Sequence, residues 1–322
     1  MKGFISKDLH PSWVLLLLIV YMAGGYFVAM FVVGILSNLI FGISFIELAS
    51  IAADPAGHPQ GPGVMLLLQG VLQFFAFVVA PIFLLISLNY RVGDYLNQKV
   101  PSPWLLVLLS GLLIVAIMPA NSVIINWNAN MSFPDFMGGF EQWARAQEEQ
   151  LAELTKLITR FNSVPELLIG LVVFALIPAV GEELVFRGIA QQQIFRWSGN
   201  MHVAIWITGI IFAAIHVQFF GFLPRAILGA LFGYLYFWSG RIIVPVVAHF
   251  VNNGFTVLML YLQQTRAIDA DIESTEAMPW YSIALSVLIS AAILYFLYQA
   301  YSRQPLLSRQ GVAEAAGAED KL

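Results

Sequence analysis

Apolar runs of about 20 residues recur along the whole chain, and this pattern restricts the folds that the chain can adopt. A bilayer core about 30 Å thick needs roughly 20 mostly apolar residues for each helical crossing. Of the 322 residues, 59% are hydrophobic and only 11% are charged, whereas soluble globular chains carry about a quarter charged residues. The pattern predicts an all-α, polytopic transmembrane helical bundle of about eight helices in a lipid bilayer. The predicted spans are 12–43, 64–88, 102–121, 164–197, 201–217, 222–238, 241–263 and 280–301.

The segments between these runs resemble loops of one membrane domain. Residues 54–63 are rich in Pro, Gly and Ala, and residues 302–322 form a polar, partly acidic tail. Neither segment suggests a second domain, so we expect a single integral membrane domain over residues 1–322 with a polar cytoplasmic tail.

One connection, residues 122–163, is longer than the others. It contains a polar stretch with apolar residues at helical spacing, which are Leu151, Leu154, Leu157 and Ile158. This spacing predicts an amphipathic helix that lies on the membrane surface. A role in gating access of a substrate is the alternative.

The distribution of positive charge predicts the orientation of the chain. Short loops rich in Lys and Arg usually face the cytoplasm. Most of the positive residues fall on the side that an even number of helices assigns to both termini: Lys2, Lys7, Arg91, Lys99, Arg196, Arg241, Arg303 and Arg309. The exceptions are Arg145, Lys156, Arg160, Arg225 and Arg266. We therefore expect both termini in the cytoplasm. Short loops, a compact size and the lack of a targeting tail favour a bacterial inner membrane.

Net charge and cysteine content exclude several classes of function. The formal net charge is −4 and no basic cluster is present, so nucleic acid is not an expected partner. The chain has no cysteine, which excludes disulfides, thiolate metal sites and a cysteine nucleophile. The expected partners are the lipid bilayer and a membrane-associated protein or peptide.

The segment GEELVFRG places three charged residues in the fourth predicted span. Charged residues inside a membrane helix cost about 2.5 to 3.5 kcal/mol each on insertion scales and are candidates for function. Glu183 and Arg187 are four residues apart, so they share a helix face and can form an ion pair. Glu182 points about 100° away and has no partner within its own helix. Glu182 is thus a candidate proton acceptor, and a structural ion pair is the alternative for Glu183 and Arg187.

Two further polar motifs follow in later spans. Phe212 and His216 occur in FAAIH at the end of the fifth span, with Glu182 seventeen residues before Gly199 and His216 seventeen after it. Two antiparallel helices that turn at Gly199 would bring both side chains to similar depth, where they could share a water molecule. A structural histidine at a helix end is the alternative.

The third motif is HFVNN in the seventh span. His249 and Asn253 are four residues apart and share a helix face. Both can donate hydrogen bonds from fixed positions, as an oxyanion site requires. Polar contacts between helices are the alternative. Residue counting from Arg241 and Asn200 places His249 and His216 at depths that differ by about 12 Å, so a helix tilt or an interfacial stretch is expected to compensate.

EExxxR, FxxxH and HxxxN, in this order on successive membrane helices, resemble the CAAX protease and bacteriocin-processing family, also called the Abi or CPBP family. The resemblance covers roughly residues 164–263, and all three motifs are intact. It includes the type II CAAX prenyl endopeptidases and implies an eight-helix membrane endopeptidase with its site in a polar cavity within the bilayer. The expected activity is hydrolysis of a peptide bond in a membrane-associated protein or peptide.

The resemblance also implies roles for individual residues. Glu182 would be the general base and His216 its partner in activating water, while His249 and Asn253 would stabilise the oxyanion. Glu183 and Arg187 would hold the glutamate helix in register, and Phe212 belongs to the histidine motif. Members are described both as metalloproteases and as metal-independent glutamate proteases.

Both forms of catalysis remain open from the residues. Glu182, His216 and His249 are acceptable ligands for zinc or another divalent metal, with a fourth position for water. The HExxH spacing of many zinc proteases is absent, which favours a site that works without metal. Serine, aspartate and HExxH motifs of other intramembrane proteases are also absent.

Two functions of other classes compete with proteolysis. A membrane scaffold or immunity protein of the same fold would bind a partner without cleaving it. A small transporter would use Glu182 and His216 to relay protons. Loss of a motif residue would have favoured the scaffold, and none is lost. The identity of the substrate is not encoded in these motifs.

Overall fold

The computed structural model describes residues 4–269, 271–272 and 274–305. Lys2, Arg309 and most of the predicted tail, residues 306–322, lie outside the described residues. In chain order the helices are α1 (Pro11–Phe41), α2 (Phe45–Ala53), α3 (Gly61–Ser87), α4 (Val92–Leu96), α5 (Trp104–Ala129), α6 (Gly138–Ile158), α7 (Val164–Ser198), α8 (Met201–Ala214), α9 (Phe222–Ser239), α10 (Ile243–Gln264) and α11 (Trp280–Ser302). The predicted all-α polytopic bundle is confirmed.

Within the described part of the chain, seven helices are long and apolar enough to cross a membrane: α1, α3, α5, α7, α9, α10 and α11. The remaining predicted span, 201–217, corresponds to α8, which is shorter and has 14 residues. At 1.5 Å per residue α8 is about 21 Å long, less than the thickness of a bilayer core. It ends at Ala214, and three residues later Val217 adopts a φ of 54°, which an α-helix cannot accommodate.

Hydrogen bonds near the helix ends show which ends lie together at one end of the bundle. Arg196, near the end of α7, donates to the Leu9 carbonyl before α1 at 3.5 Å. The Lys99 ammonium, before α5, donates to the carbonyls of Trp238 in α9 at 2.7 Å and Tyr301 in α11 at 2.9 Å. The start of α1 and the end of α11 therefore lie at the same end of the bundle. The short helix α8 provides the additional change of chain direction that this arrangement needs.

Local capping signals set the ends of α7 and α8. Ser163 and Glu166 form a reciprocal capping box at the start of α7, which satisfies backbone donors that the first helical turn leaves free. Gly199 ends α7 with a φ of 68°, a conformation that glycine adopts without steric cost. The Asn200 side chain then accepts from the His202 and Val203 amides and begins α8. This tight turn makes α7 and α8 antiparallel neighbours.

The long helices α3 and α7 contain π-helical turns. They occupy Phe74–Val79 in α3, and Leu171–Leu176 and Leu184–Ala190 in α7. Single π turns inside α-helices frequently occur at functional sites. Here one directly follows Gln73 and another directly follows Glu183, so both irregular segments adjoin polar side chains in the membrane part of the bundle.

A serine from α11 repairs the break that Pro119 makes in α5. Proline has no amide hydrogen and disturbs the helix around it. The Ser286 hydroxyl donates to the Ala116 carbonyl at 2.5 Å and accepts from the Ala120 amide at 3.1 Å. It thereby occupies the place of a broken backbone hydrogen bond, which matters because lipid offers the backbone no partner.

We expect Ser286→Ala to lower the free energy of unfolding by about 1 to 3 kcal/mol, since it removes the side-chain partner of two partly buried backbone groups. The matched control is Ser290→Ala, one turn further along α11. Ser290 is also buried, but its hydroxyl has no partner among the described residues. We expect that change to be neutral or slightly stabilising. Unfolding in mixed detergent micelles measures both variants, and equal losses would contradict the proposed repair.

The amphipathic helix predicted in the long connection is present as α6. Its Glu148 carboxylate accepts from the Phe220 amide at 2.7 Å, and the Arg145 guanidinium lies 4.0 Å from the centroid of the Phe220 ring. Arg145 also forms a salt bridge with Glu141 at 2.7 Å. The helix therefore packs on the turn that precedes α9. Its position on the membrane surface stays a prediction.

Candidate active site

A cavity of about 970 Å³ lies among α3, α5, α7, α8, α9 and α10. Polar side chains of the three motifs lie on its wall, together with apolar groups of α5 and residues of the segment before α11. The motif residues that line it are Glu182, Phe212, His216, His249 and Asn253. Such a concave, mostly apolar space with a few converging polar groups is typical of a ligand site.

Glu182 is held between two neighbours on the cavity wall. Its side chain is buried, and the residue is only 8% exposed. The Gln73 amide donates to Oε1 at 2.7 Å, while Oε2 lies 3.8 Å from Nε2 of His249. The hydrogen bond from Gln73 fixes the orientation of the carboxylate, and the second oxygen remains available to a molecule in the cavity.

His249 is oriented by the ion pair of the first motif. Its Nδ1 donates to Oε1 of Glu183 at 2.8 Å, and Arg187 donates to the same oxygen at 2.7 Å. Arg187 is fully buried and also donates to the Gly229 carbonyl at 2.6 Å. The ring of Phe232 stacks on the imidazole with centroids 5.0 Å apart. These contacts place the hydrogen on Nδ1 and leave Nε2 on the Glu182 side.

His216 lies two residues after the end of α8 and is fixed by contacts with Phe212 of that helix. Its Nδ1 donates to the Phe212 carbonyl at 2.7 Å, and the Phe212 ring packs edge-on against it at 5.0 Å. In the neutral ring, Nε2 is then the nitrogen that can accept a proton. Val217 follows directly with a positive φ, which is strained for a β-branched residue. Strain of this kind clusters at functional sites.

Asn253 is positioned by contacts on both sides of its amide. It donates to the Phe174 carbonyl at 3.1 Å, and its oxygen accepts from the Asn252 amide at 3.0 Å. Both asparagines line the cavity. An amide nitrogen carries two hydrogens, so one donor of Asn253 is left for a ligand.

All four predicted catalytic residues therefore lie on one cavity, while Glu183 and Arg187 lie behind His249. Gln73 was missed at the sequence level. Its signal was the same as that of the motifs, a polar residue within an apolar span, and Gln69 four residues earlier donates to it at 3.0 Å. Its proximity to Glu182 depends on helix packing and could not be read from spacing.

The depth difference expected between His216 and His249 is absorbed by the fold, since both side chains reach the same cavity. The Phe212 ring contacts both imidazoles, edge-on, with centroids 5.0 Å from His216 and 6.0 Å from His249. The helix before His216, α8, is shorter than a full span, and the chain turns at Val217 directly after His216.

The side chains proposed as metal ligands do not form a ready metal site. Across the described residues, no group of three or more His, Asp or Glu side chains could hold a metal ion. Glu182, His216 and His249 are of the right chemical type, and because Nδ1 of both histidines bonds within the protein, only their Nε2 atoms are open to a ligand. We derive no step through a metal from this arrangement.

Fold and cavity together define an integral membrane protein with a glutamate and histidine site buried among its helices. Residues 164–255 match the family model described as Type II CAAX prenyl endopeptidase Rce1-like. The segment that carries all three motifs is therefore similar to this family of CAAX-type membrane proteases, as the motifs predict.

Curated bacterial relatives match parts of the chain. The uncharacterized protein YpbD of Bacillus subtilis (strain 168) is 27% identical over 129 residues, which are 38% of this chain and 61% of YpbD. The membrane-embedded CAAX protease MroQ of Staphylococcus aureus (strain USA300) is 36% identical over 87 residues, which are 25% of this chain and 35% of MroQ. The chain thus matches less than two thirds of the length of each. No solved structure shows a significant match.

Proposed function

We propose that this protein is an intramembrane endopeptidase that hydrolyses a peptide bond of a membrane-associated protein or peptide. The observation that carries the proposal is the Glu182 carboxylate, oriented by Gln73 and facing His249 in a cavity that His216 also lines. The match of the motif segment to a family model of CAAX prenyl endopeptidases, and the similarity to MroQ, support the same reaction class.

In this proposal Glu182 and His216 activate a water molecule. The water oxygen attacks the peptide carbonyl carbon, and its proton passes to the Glu182 carboxylate. Nε2 of His216 accepts a hydrogen bond from the same water. This bond aligns the lone pair of the water oxygen with the peptide carbonyl. When the tetrahedral intermediate collapses, the C–N bond breaks and the proton held by Glu182 passes to the leaving amine. General acid–base catalysis of this kind contributes about 10²- to 10⁴-fold to the rate.

His249 and Asn253 would stabilise the negative oxygen of the intermediate. Because Nδ1 of His249 already donates to Glu183, donation from Nε2 requires the imidazolium form, in which both nitrogens carry hydrogen. Together with Arg187, that form makes two positive groups beside Glu182 and Glu183. The four charges then balance within the buried cluster, so the site can supply a charged donor without an unpaired charge.

Cleavage of a peptide library by the purified protein in detergent tests the function, with and without a strong zinc chelator. We expect cleavage that survives the chelator, because the described residues do not form a three-ligand metal site. Loss of cleavage with the chelator, restored by added zinc, would show a metal-dependent mechanism. Absence of cleavage by well-folded protein under every condition would favour the non-proteolytic scaffold.

We also propose that the end of the bundle with Lys7, Lys99, Arg196 and Arg241 faces the cytoplasm of a bacterial inner membrane. The positive charge at this end supports that orientation, and the curated relatives are bacterial. The chain has no cysteine, so single cysteines can report accessibility. We expect an impermeant maleimide to label Phe136→Cys in spheroplasts but Lys7→Cys only after lysis. The reverse pattern would overturn the orientation.

A further inference from the structure

Arg225 is a positive charge on the cavity wall that the proposed reaction does not use. It lies among the first four residues of α9, is partly buried, and lines the same cavity as Glu182 and His216. It is one of the few Arg residues that depart from the orientation pattern of the sequence. A charged residue inside a membrane span is a candidate for function by default.

The Arg225 guanidinium is attracted by the carboxylates of Glu148 and Glu182 but is not directly paired with either of them. It donates to Oε1 of Gln218 at 2.6 Å and, more weakly, to the Gly221 carbonyl at 3.4 Å. No carboxylate of the described residues forms a salt bridge with it, in contrast to Arg187 and Arg145, which each pair with a glutamate at 2.7 Å. A guanidinium carries five N–H donors, so several remain for a ligand.

The helix end at which Arg225 lies makes an unfavourable electrostatic contribution to its charge. The N-terminus of a helix already carries a partial positive charge, which repels a cation in its first turn. The fold nevertheless fixes this turn from two sides: the Asn128 carbonyl oxygen accepts from the Leu223 amide at 2.8 Å, and Glu148 accepts from the Phe220 amide at 2.7 Å. The arrangement thus holds the Arg225 charge in a rigid place on the cavity wall, where an anion in the cavity would pair with it directly.

We propose that Arg225 binds a carboxylate of the peptide substrate, on the His216 side of the bond that is cleaved. A guanidinium matches a carboxylate through two parallel hydrogen bonds. The carboxylates of Glu182 and Glu276 also line the cavity and repel a substrate carboxylate elsewhere, so Arg225 gives the peptide one preferred direction. The inference rests on the proposed function and adds to it a class of substrate.

Two sources can supply this carboxylate, the C-terminus of the peptide or an acidic side chain. Cleavage is therefore measured on one peptide sequence with a free C-terminus, with an amidated C-terminus, and amidated with a single glutamate near the cleavage site. We expect wild type to prefer a carboxylate form over the plain amide, and the arm that shows the preference identifies the source. For Arg225→Met we expect kcat/KM on that form to fall about 10- to 100-fold, mainly through KM. For the same variant, kcat/KM on the plain amide peptide should change by less than about threefold.

Two further variants separate specificity from folding. Arg225→Lys keeps the charge and should retain part of the preference, since lysine lacks the planar pair of donors. Arg145→Met removes an arginine that is already paired with Glu141 and should leave the ratio between acid and amide peptides unchanged. Equal loss on acid and amide peptides in Arg225→Met would assign Arg225 a structural role and overturn the proposal.

A binding measurement keeps this test independent of catalysis. Fluorescent acid and amide peptides are titrated onto full-length Glu182→Gln protein with and without Arg225→Met. Tighter binding of the acid form that Arg225→Met removes would support the subsite, even if wild type cleaves none of the peptides and the proposed function fails. Equal binding of acid and amide forms to the Glu182→Gln protein would overturn it, whatever the cleavage assay shows.

Discussion

Replacement of Glu182 by glutamine is expected to lower kcat for peptide cleavage by about 10²- to 10⁴-fold. The amide has nearly the shape of the carboxylate and can still accept the hydrogen bond that Gln73 donates, but it cannot accept the proton of the attacking water. The loss should therefore appear in kcat, while KM changes little. Initial rates on a peptide that wild type cleaves, measured over a range of concentrations, separate the two constants.

The matched control for this change is Glu166→Gln on the same helix. Glu166 is exposed and caps the start of α7, about 24 Å along the helix from Glu182 at 1.5 Å per residue. Its replacement should leave kcat unchanged. Membrane insertion and detergent size-exclusion profiles show whether each variant is folded. Activity of Glu182→Gln within tenfold of wild type, in folded protein, would exclude Glu182 as the general base.

Replacement of Arg187 by methionine is expected to destabilise the protein by about 3 to 5 kcal/mol, the usual cost of removing one partner of a buried ion pair. Arg187 is fully buried and binds both Glu183 and the Gly229 carbonyl. Without it the Glu183 carboxylate keeps only its contact with His249. Unfolding in mixed micelles and the yield of folded protein both measure the loss.

A double-variant cycle identifies the cause of that loss. Removal of the stranded charge by Glu183→Gln in the Arg187→Met background should restore part of the stability, so the double variant should lose less than the two single variants together. Arg145→Met is the exposed counterpart and should cost less than about 1 kcal/mol, as surface ion pairs usually do. A loss for Arg187→Met as small as that would contradict a structural role for the pair.

Local spacing predicted part of the site correctly. Glu183 and Arg187 form the ion pair expected from a separation of four residues, because helix geometry alone sets such distances. The turn at Gly199 brings Glu182 and His216 to one cavity. These contacts depend on one helix or on one tight hairpin, so residue counting suffices.

Contacts between distant helices were not predictable in the same way. Gln73 and Glu182 are separated by 109 residues and Glu183 and His249 by 66. In the sequence Glu183 was only a partner for Arg187, whereas in the structure it also orients His249. Residue counting also gave His216 and His249 different depths, because it treats every helix as a straight crossing of equal tilt. The short α8 and the π turns of α3 and α7 invalidate that assumption.

The sequence by itself determined the membrane environment, the all-α class, the three motifs and the charged residues that require an explanation. Hydrophobic length and helical spacing are local properties, and lipid leaves the backbone few alternatives to a helix. Only the tertiary structure decided which polar groups meet: Gln73 with Glu182, Glu183 with His249, and Ser286 with the break at Pro119. Those contacts depend on the rotation, tilt and depth of whole helices. Packing against several neighbours sets these quantities, and no single segment encodes them.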